Sequence, residues 1–190
     1  RYLVEDCGAA HTKEGLRLWP EPVEAQRGLR GPHQKKNASL AVAAVRALVP
    51  ELGHAEMAAG LERTRWPGRL ERFEGPPVVW LDGAQNEAAA RALAASIEAG
   101  ALGASQLEVV FACLRDKQPQ AMMQALAPYA ASWSLCAAPS PRSADSRSLA
   151  AYVTKAAVYI HPEDALRRAR LEAKSSGRPV LVCGSLYLVG

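Results

Sequence analysis

The feature that most constrains the fold is an alternation, from Val78 onward, of short apolar runs with longer amphipathic stretches. The runs are VVWLD, LEVVFACL, SWSLCA, AAVYI and PVLVCG, and they are largely apolar instead of alternating with polar residues. Such runs are typical of strands that are covered on both faces. Strands separated by helices in this way predict an α/β fold, with a doubly wound, mostly parallel sheet flanked by helices and joined by right-handed crossovers.

Residues at the helix boundaries support this pattern. The Asn86 side chain is expected to cap the helix after VVWLD, and Glu87 adds negative charge to the first turn of that helix. Pro162 opens the helix before the last strand, and Gly177 closes it. The Pro- and Ser-rich segment APSPRSADS, residues 138–146, predicts a flexible crossover loop.

Residues 1–65 have a different character, because they show no strand–helix rhythm and lack the strands that an independent core needs. A largely buried helix is expected from Gln34 to Leu48, and another over LGHAEMAAGLERTRW. A chain of 190 residues with 49% hydrophobic content can bury one sizeable core and a small piece beside it. We therefore predict that residues 1–65 are the closing segment of one domain and that residues 66–190 form the α/β domain.

The composition is that of an ordinary soluble protein. The net charge is +4, but the lysines and arginines are dispersed among acids, which favours a solvated surface with a modest attraction for phosphates or carboxylates over a nucleic-acid interface. No apolar run approaches the length of a membrane span, and the first residues carry no export pattern. We expect a cytoplasmic monomer that binds neither membranes nor nucleic acid.

Several polar residues follow the predicted strands, at the sheet edge where ligands bind in open α/β folds. Asp82 ends VVWLD, where its carboxylate could accept hydrogen bonds from a ribose, while Gly83 allows close approach to the backbone. Lys117 follows LEVVFACL, and Ser185 follows PVLVCG. Arg69, after a Pro-Gly turn, could grip phosphate oxygens. Each also has a simpler interpretation as a turn, cap or solvated charge.

In the helix predicted to begin at Gln34, the side chains of Gln34 and Asn37 are three residues apart and lie on one face. Their two amides could form hydrogen bonds with the edge of a base. The sequence contains neither a G-x-x-x-x-G-K-[ST] phosphate loop nor a G-x-G-x-x-G dinucleotide motif. No G-x-S-x-G nucleophile motif is present either. By itself the chain therefore has no conventional loop for binding a triphosphate.

The order of the motifs is more specific than any one of them. Five segments follow one another in an order that resembles the C-terminal half of folylpolyglutamate synthase, including the bifunctional dihydrofolate synthase. They are GPHQKKNASLAVAA, WPGRLE, VVWLDGAQNEAAARAL, FACLRDK and PVLVCGSLYLVG. The chain resembles this family, which belongs to the Mur ligase superfamily, from about Leu16 to Gly190. The resemblance implies a Rossmann-like C-terminal ligase domain, preceded here by the end of a central ATP-binding domain.

The activity that the resemblance implies is the ATP-dependent formation of an amide bond. A carboxylate of folate or dihydropteroate is phosphorylated by ATP, and the amine of L-glutamate attacks the acyl phosphate. In the family the phosphate loop and the Mg²⁺ ligands belong to the central domain, so no metal ligand is expected in this chain. The isolated chain is therefore expected to be inactive, and no residue is assigned a catalytic role.

The resemblance also suggests binding roles. Asn37 resembles the family residue whose amide lies beside the adenine base, and Arg69 resembles the one that contacts the nucleotide phosphates. Asp82 matches the acid of the family motif DGAHN, which is expected near the ribose and α-phosphate. Lys117 and Ser185 match positions that hold the carboxylates of the incoming amino acid.

One residue departs from the family pattern. Gln85 occupies the position of the family's histidine among the ATP-binding residues, and glutamine can exchange hydrogen bonds but cannot carry a proton. Two other interpretations of the chain therefore stay open. One is a non-catalytic binding or assembly module with the same fold, and the other is a Mur-type ligase that acts on a cell-wall precursor.

Overall fold

The computed structural model describes residues 2–4, 10–12, 15–17, 23–25 and 29–190, with side chains from residue 29 onward. The chain separates into two compact units, Arg1–Trp66 and Pro67–Gly190.

The first unit combines short strands with two helices. Among its described residues, four three-residue strands pair in two antiparallel sheets: β1 (Tyr2–Val4) with β4 (Val23–Ala25), and β2 (Ala10–Thr12) with β3 (Gly15–Arg17). The helices α1 (Pro32–Leu48) and α2 (His54–Arg63) follow. Both helices were predicted, whereas the strands were not. Strands this short carry no periodicity that the sequence could reveal.

The prediction that α1 is largely buried was wrong. Val42 of α1 packs with Met57 of α2 in a small cluster, but Leu40 is 55% exposed and Leu48 is 81% exposed. The described residues of the unit therefore cover only one narrow stripe of an Ala- and Val-rich helix.

The second unit is a six-stranded sheet with the order β5-β6-β10-β7-β8-β9. Its strands are β5 (Glu71–Phe73), β6 (Val79–Asp82), β7 (Leu107–Phe111), β8 (Ala130–Leu135), β9 (Ala156–Val158) and β10 (Val180–Cys183). All neighbouring pairs are parallel except β5 with β6. The predicted α/β fold with a mostly parallel sheet is confirmed.

Helices cover both faces of the sheet. Those of the second unit are α3 (Glu87–Glu98), α4 (Pro119–Leu126), α5 (Ser146–Leu149), α6 (Pro162–Ser176) and α7 (Leu186–Val189), with 3₁₀ turns at Ala127–Tyr129 and Ala150–Tyr152. As predicted, the Asn86 side chain accepts a hydrogen bond from the Ala89 N–H at 2.8 Å and caps α3. Gly177 ends α6 in the left-handed conformation, with φ of 72°.

The central strands β7 and β10 are buried along their whole length. Alternate residues of each strand point to opposite faces, so that Val109 and Leu181 pack in the cluster that contains Leu93 and Met122 of α3 and α4. Val110 and Val182 pack instead against the alanines of α6. This two-sided burial explains why the runs are apolar without alternation.

Among the described helices, none combines the length and the hydropathy that crossing a bilayer would require.

A buried acid lies at the amino end of β7, away from the strand ends that carry the candidate site residues. Glu108 is 3% exposed. Its Oε1 accepts hydrogen bonds from Arg178 Nη1 and Ser176 Oγ, both at 3.1 Å, and its Oε2 accepts one from Ser132 Oγ at 2.5 Å. The carboxylate thereby ties the end of α6 to the sheet.

We expect Glu108→Ala to lower the free energy of unfolding by about 2 kcal/mol, because the Ser176 hydroxyl and a half-exposed guanidinium lose this acceptor and Ser132 keeps only its bond to Glu172. Urea unfolding followed by circular dichroism measures the change. The matched control is Glu98→Ala, which removes an exposed acid from α3 and should change stability by less than about 0.5 kcal/mol. Equal effects of the two substitutions would contradict this role of Glu108.

Candidate functional site

The candidate site lies at the carboxyl edge of the parallel strands of the second unit. Strand β10 lies between β6 and β7, and in this register Cys183 pairs with both Asp82 and Phe111. The three strands therefore end at the same level, and the loops that follow them leave the sheet side by side. Ligands of open α/β sheets bind at such an edge.

Asp82 is buried at this edge and holds two loops together. It is 7% exposed; its Oδ2 accepts a hydrogen bond from the Leu70 N–H at 3.0 Å, and its Oδ1 accepts one from the Ala84 N–H at 2.9 Å. Both carboxylate oxygens therefore bond to backbone amides of the chain. Sequence reasoning placed Asp82 at the strand end but could not identify these partners, because Leu70 belongs to a loop that precedes another strand.

The loop that carries Arg69 is braced at several points. The Gly68 N–H donates to Glu71 Oε2 at 2.8 Å, and the Gly68 carbonyl accepts from the Gly83 N–H at 2.7 Å. Leu70 has a φ of 44°, which is unusual for a branched side chain and is maintained here by the surrounding bonds. The loop is therefore held in one shape by contacts that do not involve the Arg69 side chain.

Arg69 itself is half-buried on this loop, two residues before β5 begins. Its guanidinium forms no hydrogen bond or ion pair with the residues that the structure describes. A half-buried cation that has no partner among those residues, on a braced loop, is suited to binding an anion.

Gln85 and Asn86 follow Asp82 in the loop between β6 and α3. Asn86 caps α3, whereas the half-buried Gln85 side chain forms no hydrogen bond within the described part of the chain. The Gln85 amide can therefore donate to and accept from a ligand.

The loop after β10 depends on a glycine. Gly184 has a φ of 106°, and a Cβ atom at this position would lie 2.3 Å from the Ala112 carbonyl oxygen. Ser185 follows it and is 2% exposed, and its Oγ accepts a hydrogen bond from the Tyr187 N–H at 3.1 Å. The structure thus gives Ser185 the helix-capping role that the sequence left open, at the start of the short helix α7.

Lys117 lies in the loop after β7, beside an acid that bonds to two cations. Asp116 Oδ2 is 3.2 Å from Lys117 Nζ, and both Asp116 oxygens accept from Arg142 Nη2, at 2.9 and 3.0 Å. These bonds, with Arg142 first and Lys117 second, lower the pKa of Asp116 to about 2. The carboxylate therefore keeps its charge, and both ion pairs, until the pH falls toward that value.

Sequence reasoning missed Arg142, because the segment 138–146 was predicted to be a flexible crossover. In the structure this segment is tied to the loop after β7 by a bridge between Leu114 and Ser143, and by a hydrogen bond of 2.9 Å from the Arg115 N–H to the Arg142 carbonyl. The only signal in the sequence was an arginine in a loop that follows a strand, which is too common to single out a residue.

Asn37 belongs to the first unit and is described with it. It is exposed on the first turns of α1, and its Nδ2 donates to Gln34 Oε1 at 3.0 Å. The pairing of two amides on one helix face is therefore present as predicted. Gln34, which is 8% exposed, also contacts His33 through a bond of 2.8 Å.

The described thiols are unsuited to nucleophilic chemistry. Burial raises the pKa of Cys113 to about 11 and that of Cys136 to about 12, and it raises the pKa of Cys183 well above the ordinary value. Within the described part of the chain, no three His, Cys, Asp or Glu side chains are grouped so that they could hold a metal ion. The arrangement as a whole offers cations and amides for anionic ligands.

Comparison with known proteins agrees with this architecture. The profile of the family described as "Mur ligase, glutamate ligase domain" matches residues 68–186. The dihydrofolate synthase/folylpolyglutamate synthase of Bacillus subtilis is 30% identical over 172 residues, which cover 87% of this chain and 40% of that protein.

Two solved structures show the same fold. Folylpolyglutamate synthase of Mycobacterium tuberculosis, complexed with ADP and AMPPCP, superposes with a TM-score of 0.80 at 28% identity, covering 92% of this chain and 41% of that one. The bifunctional folylpolyglutamate synthase/dihydrofolate synthase of Yersinia pestis, complexed with AMPPNP and a Mn ion, gives 0.76 at 25% identity, covering 93% and 42%.

The chain thus spans about two fifths of the length of these relatives. The family match covers most of the second unit, including the loops that carry Arg69, Asp82, Gln85, Lys117 and Ser185. This chain belongs to the Mur ligase family, in the branch of the folylpolyglutamate and dihydrofolate synthases.

Proposed function

We propose that this chain supplies the glutamate ligase domain of an ATP-dependent enzyme that adds L-glutamate to folate or dihydropteroate through an acyl phosphate. Residues 66–190 form that domain, and residues 1–65 are the closing segment of a central ATP-binding domain. The family description and the names of the relatives support the reaction class.

The observation that carries the proposal is the state of Arg69. The guanidinium is half-buried and lacks a partner among the described residues, and the backbone of the loop that carries it is braced before any ligand arrives. Positioning before binding reduces the entropy lost when a polyanion is bound. A nucleotide phosphate is the anion that fits the family.

The other predicted ATP-binding residues have separate roles in this proposal. Gln85 exchanges hydrogen bonds with the same nucleotide, and Asn37 supplies an amide for the adenine base. Asp82 contributes by holding the loops of Arg69 and Gln85 in place, since both of its oxygens bond to their backbone. Magnesium would neutralise phosphate charge during phosphoryl transfer, and its ligands are expected outside this chain.

Lys117 and Ser185 would serve the second substrate. The Lys117 ammonium can pair with a carboxylate of glutamate, and the Ser185 hydroxyl still has a proton to donate while its oxygen caps α7. Attack on the acyl phosphate requires an uncharged amine, so the binding of the amino acid through its carboxylates leaves the amine available for reaction.

The experiment compares two proteins. The full-length product of the gene that encodes this chain is given ATP and Mg²⁺. It should release ADP only when L-glutamate and either dihydropteroate or folate are also present. The 190-residue chain alone should release little or none, since its sequence has no phosphate loop. Robust ADP release by the chain alone would contradict the division of roles. A full-length product without folate-dependent turnover would favour a non-catalytic module.

The proposal makes a specific prediction for Gln85. We expect Gln85→His to leave the ligase rate within about threefold of wild type or to raise it, because imidazole also donates and accepts hydrogen bonds and can add charge. Gln85→Ala, the matched control, should raise KM for ATP by roughly tenfold through loss of a bond to a charged ligand. If histidine is as damaging as alanine, the site requires a carboxamide and the assigned role is wrong.

A further inference from the structure

Asp116, Lys117 and Arg142 form an ion triad at the carboxyl edge of β7 and β8. The acid lies between the two cations, at 3.2 Å from Lys117 Nζ and 2.9 Å from Arg142 Nη2. The side chains of Asp116 and Arg142 are 44% and 55% exposed, whereas that of Lys117 is 31% exposed. The triad is therefore open to solvent on one side, and Lys117 is its most sheltered member.

Hydrogen bonds stabilise the loops that carry the triad. The Lys117 N–H donates to the Leu114 carbonyl at 3.1 Å, and the Ala144 N–H donates to the Cys113 carbonyl at 2.9 Å. The Arg115 side chain also donates to the Pro141 carbonyl. The last two of these bonds join the loops after β7 and β8, so Arg142 reaches Asp116 from a fixed position.

We propose that Asp116, held in place by Arg142, is a positioning residue that orients the Lys117 ammonium toward a carboxylate of the incoming amino acid. This inference rests on the proposed function and deepens it. It assigns roles to two residues, Asp116 and Arg142, that touch no substrate in the mechanism described above.

The charges of the triad leave it able to bind an anion. Two cations share one carboxylate, so the triad carries a net charge of +1 at neutral pH, and the Arg115 guanidinium beside it raises the local charge further. Lys117 uses one of its three N–H donors on Asp116. A flexible lysine that is held at one donor loses less rotamer freedom when a second carboxylate binds.

The same geometry also fits a role for Asp116 that is opposite to positioning, and experiment can distinguish the two roles. Asp116 could compete with the substrate by occupying the cations in the absence of glutamate. Removing its charge would then tighten glutamate binding. Under the positioning role, removing the charge releases Lys117 and weakens glutamate binding.

The first arm of the test uses the 190-residue chain and does not depend on turnover. Carbon-detected NMR titration of the Asp116 carboxyl should give a pKa of about 2, and Arg142→Gln should raise it toward the ordinary value of about 4. The Lys117 Nζ resonance should shift as Asp116 is protonated. The inference would be overturned if Arg142→Gln leaves the pKa of Asp116 unchanged, or if the Lys117 Nζ resonance does not shift when Asp116 is protonated. Either result counts whether or not the ligase proposal holds.

The second arm uses the full-length ligase. Asp116→Asn should raise KM for L-glutamate by roughly three- to fivefold, as expected for a solvent-exposed pair, while KM for ATP and Tm stay unchanged. In the Lys117→Ala background the same substitution should have no further effect, because Asp116 acts through Lys117. Asp164→Asn is the matched control, since Asp164 forms a similarly exposed pair with Arg167 at 2.9 Å on α6, and it should leave every parameter unchanged.

Four results of the second arm would refute the positioning role. A lower KM for glutamate in Asp116→Asn would identify the acid as a competitor. Additive effects of Asp116→Asn and Lys117→Ala would show that Asp116 does not act through Lys117. Parallel changes in the KM of ATP and glutamate, or a fall in Tm, would indicate a purely structural role. Absence of wild-type turnover would count against the proposed function alone, and the NMR arm would then decide the inference.

Discussion

Asp82→Ala in the full-length ligase is expected to raise KM for ATP or to lower turnover by at least about tenfold. The substitution leaves two buried N–H groups, those of Leu70 and Ala84, without an acceptor, which costs about 3 kcal/mol of stability in the second unit. The Arg69 loop loses one of its two bonds to the end of β6, so that Leu70 can relax from its φ of 44°. Arg69 would then no longer be positioned before the nucleotide binds.

The measurement combines steady-state kinetics with urea unfolding. Asp82→Asn is the matched control because its carbonyl oxygen still accepts one of the two amide hydrogen bonds, so intermediate values of KM and stability are expected. Arg69→Ala should raise KM for ATP without loss of stability. This result would distinguish the contact that Arg69 makes with the ligand from the structural role of Asp82 in holding the loop. An Asp82→Ala enzyme with unchanged kinetics would remove Asp82 from the site.

Gly184→Ala is expected to destabilise the second unit by about 3 kcal/mol or more. The new Cβ would lie 2.3 Å from the Ala112 carbonyl oxygen and 2.7 Å from the Phe111 ring, and neither the backbone between β7 and its loop nor a fully buried ring can move aside easily. The φ of 106° adds strain for any residue with a side chain.

Gly103→Ala provides the matched control for this second prediction. Gly103 also has a positive φ, of 70°, but nothing lies within 4 Å of its Cβ position, so alanine there should cost only about 1 kcal/mol. The difference between the two variants in urea unfolding isolates the steric contribution at the sheet edge. Equal destabilisation would show that the loops after β7 and β10 separate readily, which would contradict a rigid site.

The local features of the fold were readable in the sequence because each depends on neighbouring residues. The cap at Asn86 requires only a side-chain oxygen before a helix-forming stretch, and the end of α6 at Gly177 requires only a residue that tolerates positive φ. The two-sided burial of β7 and β10 is likewise encoded in uninterrupted apolar runs. The predicted parallel α/β sheet follows from these elements.

Other features depend on residues far apart in the chain. The insertion of β10 between β6 and β7 brings Ser185 between the loops of Asp82 and Lys117, and no local pattern encodes that order. The antiparallel β5 and the pairing of Asp116 with Arg142, which are 26 residues apart, were also invisible in the sequence. Such contacts depend on how crossovers return to the sheet, which local propensity does not determine.

The sequence by itself determined the fold class, the helix ends, the order of the motifs that carries the family resemblance, and the position of Asp82, Lys117 and Ser185 at strand ends. These follow from periodicity and local chemistry. Only the tertiary structure decided which contacts those residues make. Asp82 braces two loops, Ser185 caps a helix, Arg69 has no partner among the residues that the structure describes, and Asp116 joins Lys117 to Arg142. The reason is physical: the partners of a buried or clustered polar group are chosen by packing across the sheet edge, between segments that meet only after the chain has folded.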